Sequence, residues 1–255
     1  MAGGVAGVVL FATYLSTAAP DLTFWDAAEF ATAANTLGIP HPPGTPLWVM
    51  IGRVAALVFS SAGPVRSVTL LSVLASALAG GVGAALATRW LGTRGAVAAA
   101  VSAGTMMSVW ANATETEVYA VALLFSLMLL AAGECAGRHD APAESRTRWR
   151  AIMVLLVALA VPLHLSVLVA LPAAVALAWR GEAPTWRDLV AWVALLMLGL
   201  SATAILPMLS ARAPTRFRPS RHAPCIDGRV AAHAVCRRGI VAARGAALAA
   251  TGQRV

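Results

Sequence analysis

Apolar runs close to the length of a membrane crossing recur along most of this chain, and they leave few folds open. They lie at residues 1 to 19, 67 to 88, 95 to 110, 118 to 136, 151 to 179 and 189 to 208. A helix needs about 20 such residues to cross a bilayer. Lipid offers the backbone no hydrogen-bonding partner, so each run must satisfy its own peptide groups as a helix. Composition agrees. Of 255 residues 59% are hydrophobic and 12% charged, with mean hydropathy +0.77, against about 25% charged in an ordinary soluble domain. The expected fold is all-α, a polytopic transmembrane helical bundle, and a soluble α/β enzyme is excluded. Residues 1 to 19 lack a basic leader and a clear cleavage site, so they read as an anchor helix and not as a signal peptide.

The formal net charge of +8 would ordinarily point to an anionic partner. Its distribution says otherwise. Residues 1 to 212 balance eleven Arg against ten Asp or Glu, whereas residues 213 to 255 hold eight Arg and only Asp227. The excess belongs to the tail, and no nucleic-acid partner is expected. Two domains follow: a membrane module over 1–212, the N-terminal part of a longer domain, and an Arg- and Ala-rich tail over 213–255 that reads as disordered or as the product of a frame shift near 213 to 219. Its two H-x-x-C units, "HAPC" and "HAVC", offer zinc-type ligands. The three Cys give no disulfide framework.

Arginines of short loops tend to stay in the cytoplasm. That bias is met when the short apolar piece 46 to 62, interrupted by Arg53, lies along the surface or re-enters instead of crossing. Arg89, Arg94, Arg138, Arg146, Arg148, Arg150, Arg180 and Arg187 then face inside, with Arg53 and Arg66 the exceptions, and Asp21, Asp26, Glu29, Glu115 and Glu117 outside. Residues 151 to 179 become a hairpin between Arg150 and Arg180, with Pro162 and His164 at its outer tip. The expected location is a bacterial inner membrane, multi-pass, with the acidic loops external.

This topology gathers ionisable groups at one surface. Asp26 and Glu29 stand three residues apart, on one face of a helix, and His41, Glu115, Glu117 and His164 fall at the same level. Carboxylates near helix ends are often merely solvated. Several meeting on an apolar protein point further, because polar groups at membrane depth are costly and usually functional. The linker "GIPHPPGTPLW" cannot be a continuous helix, since its prolines fix φ and remove donors. It acts as a stiff elbow that returns the chain and sets His41 near the carboxylates. Arg53 either snorkels to the headgroups or points into the site.

"FWDAAEFATAANTLGIPHPPGTPLWVMIGRVAAL" resembles the opening signature of a polytopic membrane family long catalogued as a domain of unknown function: D-x-x-E, a small-residue helix, L-G-I-x-H-P-P-G-x-P-L and an apolar helix. "ETEVYAV", "PLHLSVL" and "ILPMLSARAP" resemble its later segments. The family includes an animal protein O-mannosyltransferase and is similar in plan to the GT-C glycosyltransferases, membrane enzymes with juxtamembrane helices in the first external loop. The resemblance covers about residues 5 to 214. It implies transfer of a sugar from a polyprenyl-phosphate donor to an acceptor protein or glycan at the external face. Asp26 is then the catalytic base, with Glu29 and Glu117 as further acidic elements. His41, His164 and Arg212 become candidates for the departing phosphate, and Tyr119 and Arg53 for the substrate. A carboxylate pair could alternatively hold a divalent cation. Two other readings remain beside the enzyme: a transporter or channel, whose intramembrane carboxylates carry ions, and an inactive truncated membrane partner.

Overall fold

The computed structural model describes residues 1–179 and 183–211, and the described residues are helical with no strand. Residues 212–255, with Arg212 and the H-x-x-C units, and Arg180 lie outside the described residues. The elements are α1 (Ala2–Thr17), α2 (Ala27–Thr36), α3 (Pro46–Val58), α4 (Pro64–Gly104), α5 (Met107–Thr114), α6 (Val118–Ala136), α7 (Ala143–Leu163), α8 (Leu171–Ala178), α9 (Trp186–Ser201) and α10 (Ile205–Ala211), with short 3-10 turns at Ser60–Ala62, Leu165–Ala170 and Ala202–Ala204. Among the described residues three continuous stretches are long and apolar enough to cross a membrane: Pro64–Gly104, Val118–Ala136 and Trp186–Ala211. This is the architecture of a helical membrane protein.

The first of these stretches is two arms. Gly92 has φ 64 and ψ 174 inside α4, a left-handed conformation that costs glycine little and other residues much. The arms reverse there, so Ala87 and Ala99 line one cavity, as do Ser76 and Val109. The span expected at 95 to 110 is accordingly shorter than foreseen. It breaks at Thr105 and Met106 and resumes as α5.

Small residues set the close contact of α1 with α4. A Cβ on Gly3 would stand 2.7 Å from the Gly81 carbonyl oxygen, and one on Gly81 would stand 2.9 Å from that of Gly3. Backbones approach this closely only without side chains, which suits lipid, where dispersion takes the place of the hydrophobic effect. Leu10 and Tyr14 are fully buried against the same helix, and the Tyr14 hydroxyl donates to the Gly104 carbonyl at 2.9 Å.

The short piece from 46 to 62 holds α3, a helix too short to cross a bilayer by itself. At 13 residues α3 spans about 20 Å, well below the roughly 30 Å of a hydrocarbon core. It packs beside α2, with Trp48 against Phe30 at 4.7 Å between ring centroids and Gly52 against Ala34. The hairpin after Arg150 is present with one correction. Its outgoing arm, α7, begins at Ala143, because "AESRTRWR" is itself helical and Glu144 pairs with Arg148 one turn on. Its 21 residues reach about 31 Å, far beyond the half-length arm expected. The chain turns at His164, and the return arm runs back along α6, where a Cβ on Gly133 would collide with the Ala174 carbonyl. Trp179 thus comes to line the same cavity as Arg150.

Candidate functional site

The site forms where the loop after α1, the start of α6 and the hairpin tip meet. Asp26 is the N-cap of α2 yet makes no side-chain capping bond, so the usual structural use of an N-terminal Asp does not account for it. Its carboxylate faces His41 instead, with Oδ2 3.9 Å from Nε2. Glu29, one turn into α2, accepts twice from the same residue: the His41 backbone N–H at 2.6 Å and Nδ1 at 2.9 Å. The proline elbow makes this possible. Leu37 ends α2 in the left-handed region and the loop doubles back, so His41 returns to the helix's first turn. Phe30 backs the imidazole at 5.6 Å.

Charge sharpens the arrangement. The hydrogen bond to Glu29 raises His41 above its ordinary value, with Asp26, Glu29 and Glu117 adding to it, and lowers Glu29 in turn. The protonated imidazole is thereby favoured, with one carboxylate accepting from it and another facing it.

Glu117 enters from the second loop. Burial, followed by the charges of Asp26 and Glu115, pushes its carboxyl up to about 7, against smaller opposite effects of the Val118 amide and His41. It therefore lies within electrostatic reach of the first-loop cluster. Sequence reasoning missed what holds it there. The Ser72 hydroxyl accepts from the Glu117 N–H at 3.2 Å, and Thr69 and Thr116 pair hydroxyls at 3.0 Å in the buried interior. Thr69 and Ser72 sit three residues apart on one face of α4, a polar stripe in an apolar helix that was the available signal. The Ala19 N–H donates to the Thr114 carbonyl at 2.9 Å and ties the end of α1 to the same loop.

Tyr119 and His164 meet edge to face, 4.9 Å between ring centroids. His164 Nδ1 faces the Ser166 hydroxyl at 2.7 Å and accepts from the Ser166 N–H at 3.3 Å, which leaves the ring proton on Nε2. Arg53 is elsewhere. Its Nη1 donates to the Asn35 carbonyl at 2.6 Å, at the end of α2 away from Asp26, where it caps the helix's last turn. Among the described residues Arg53 makes no ion pair with a carboxylate.

Asp26, Glu29 and His41 each offer a ligand atom, all within 4.8 Å of one another, and the three are exposed. The donor set of two carboxylates and an imidazole suits a divalent cation.

The model of a family described as the protein O-mannosyl-transferase TMEM260 N-terminal domain matches residues 26–187. The chain belongs to this family. The matched segment of the TMEM260 N-terminal domain runs from Asp26 through the hairpin tip, so it contains the first-loop cluster, Glu117, Tyr119 and His164. No solved structure matches the chain.

Proposed function

We propose that this chain is the catalytic part of a membrane glycosyltransferase of GT-C type, which transfers a hexose, mannose in the nearest reading, from a polyprenyl-phosphate donor to a hydroxyl acceptor such as protein Ser or Thr at the external face. The observation that carries the reading is the meeting of Asp26, Glu29 and His41 from one loop with Glu117 from another. Membership of a protein O-mannosyltransferase family supports it.

The chemistry is direct displacement at the anomeric carbon. The acceptor oxygen forms the new glycosidic bond as the bond to the phosphate oxygen breaks, and the lipid phosphate departs with that electron pair. The acceptor proton goes to a base, for which Asp26 is the exposed carboxylate that accepts no hydrogen bond from His41. Glu29 fixes His41 through two hydrogen bonds, and His41 in turn steers Asp26. Glu117, pushed up to about 7, carries a proton for much of the time near neutrality. A neutral carboxyl donates to a phosphate oxygen where a carboxylate would repel it. His164, with its proton on Nε2 beside Tyr119, offers a second donor to the departing group. A transporter is disfavoured, since these groups gather at one end of the bundle and not along its depth.

The test is transfer of labelled mannose from polyprenyl phosphate to a Ser/Thr peptide in membranes containing the chain. Asp26→Asn should lower turnover by roughly 10²- to 10⁴-fold, and Glu117→Gln should retain activity while flattening its dependence on pH near 7. Transfer undiminished by Asp26→Asn would remove the assignment.

A further inference from the structure

A cavity of 330 Å³ lies where the two arms of α4 meet α6. The first arm lines it with Ser76, Gly83 and Ala87, α6 with Leu123 and Leu127, and the second arm with alanines. None of its lining residues is charged. The plain reading is a gap left by small residues between helices. Two observations go against it.

Ser76 is the first. It is 2% exposed, and its buried Oγ has no hydrogen-bond partner among the described residues. A buried hydroxyl left unpaired is costly and calls for a partner. Tyr14, the other polar side chain of the wall, already donates to the Gly104 carbonyl at 2.9 Å. Gly83 is the second. Glycine within a helix costs about 1 kcal/mol relative to alanine, and at Gly80 and Gly104 the Leu10 side chain occupies the place of a Cβ. At Gly83 no neighbour requires it, since a Cβ there would meet only Leu127, at an ordinary 3.8 Å. The room it leaves belongs to the cavity.

Depth ties this cavity to the site. Ser76 follows Ser72 by one turn on the same face of α4, about 6 Å further along, and Ser72 accepts from the Glu117 N–H at 3.2 Å. Leu123 lies about 8 Å into α6 from Val118, the residue after Glu117. The lining of the first arm ends at Ala87, about 16 Å beyond Ser76. A volume of 330 Å³ over that length is a channel about 20 Å² in section, the width of one hydrocarbon chain. A polar contact at the end nearest Glu117 with an apolar channel beyond is the order of a phosphate ester and its single chain. A glycerophospholipid carries two chains on one headgroup.

We propose that this cavity receives the first units of the chain of a polyprenyl phosphate, with the ester oxygen between chain and phosphate accepting from Ser76 Oγ and the phosphate toward Glu117. The choice of lipid rests on the sugar-transfer reading.

The full chain, purified in mild detergent, is loaded with polyprenyl phosphate or phosphatidylglycerol, and retained lipid is read by native mass spectrometry. Polyprenyl phosphate should be retained about tenfold more strongly. Gly83→Leu, whose side chain takes up cavity volume, should lower that retention by about tenfold or more. Ser76→Ala should lower it about threefold to tenfold, as for one lost hydrogen bond, without lowering the stability of the lipid-free chain, and it decides the matter if Gly83→Leu does not fold. A polyprenyl phosphate with a diazirine on its first isoprene units should label α4 between Ser76 and Ala87, or α6 near Leu127. Equal retention of the two lipids, retention unchanged in both variants, or label confined to other helices overturns the proposal. Retention that both variants weaken in a chain that transfers no sugar upholds the channel and removes the proposed reaction. Sugar transfer with a donor KM unchanged in both variants keeps the reaction and removes the channel.

Discussion

The seam between α1 and α4 and the first loop with α2 and α3 are joined by opposite means. At the seam, Gly3, Gly7 and Gly81 bring two backbones together by having nothing between them, and Gly80 leaves room for the Leu10 side chain. In the loop, Phe30 and Trp48 fill space, and Glu29, His41, Arg53 and Asn35 are linked by hydrogen bonds at 2.6 to 2.9 Å. Lipid is as apolar as leucine, so helices within it gain mainly from close contact. At the surface, water supports ion pairs, and aromatic rings add both area and orientation. The contrast separates tasks. The seam confers shape and tolerates no added atoms, whereas the loop confers chemistry and depends on particular polar groups.

The largest effect should come from the loop. Asp26→Asn is expected to lower sugar transfer by roughly 10²- to 10⁴-fold, the range of a lost general base, with unfolding in detergent unchanged. A fall in stability matching the loss of activity would merge the two regions into one structural role. Next, Gly81→Leu should destabilise the bundle by about 3 kcal/mol or more, since overpacking costs about 1–3 kcal/mol per site and the obstacle here is backbone. Chemical unfolding in micelles measures it. A Gly81→Leu chain as stable as wild type would mean that the seam is not in contact.

The loop also has a pH signature. A carboxyl raised in the folded state contributes stability that is full below its ordinary 4.5 and is lost as pH rises through about 7. Glu117→Gln should therefore show a shallower decline in stability across that window than wild type, read from unfolding midpoints at several pH values. Identical slopes would mean that Glu117 is neither buried nor near Asp26. The smallest effect is expected at Arg53. Arg53→Met should cost about 1 kcal/mol through loss of the bond to the Asn35 carbonyl, and leave the KM for the donor unchanged. A raised KM would return Arg53 to the substrate.

Much of this was legible in the chain. Long apolar runs dictate helices because lipid leaves the backbone no alternative, and the break at "PLHLS" announces the hairpin tip. The D-x-x-E spacing places Asp26 and Glu29 on one face, and the prolines of "GIPHPPGTP" predict an elbow. The role of Arg53 was not legible. A lone cation in an apolar helix is compatible with lipid, phosphate or a carbonyl, and only the parallel packing of α2 on α3 selects the carbonyl. The turn between the runs 67 to 88 and 95 to 110 was legible, but not that Gly92 makes it, since one glycine among many in α4 carries no mark of its φ.

By itself the sequence determined the helical class, the gathering of acidic groups in two loops and the elbow between α2 and α3, because each follows from solvent and local backbone chemistry. Tertiary structure alone decided that Glu29 holds His41, that Ser72 and Thr69 hold the segment of Glu117, and that Arg150 and Trp192 line one cavity. These are meetings between residues distant in the chain, fixed by which helix faces lie against each other.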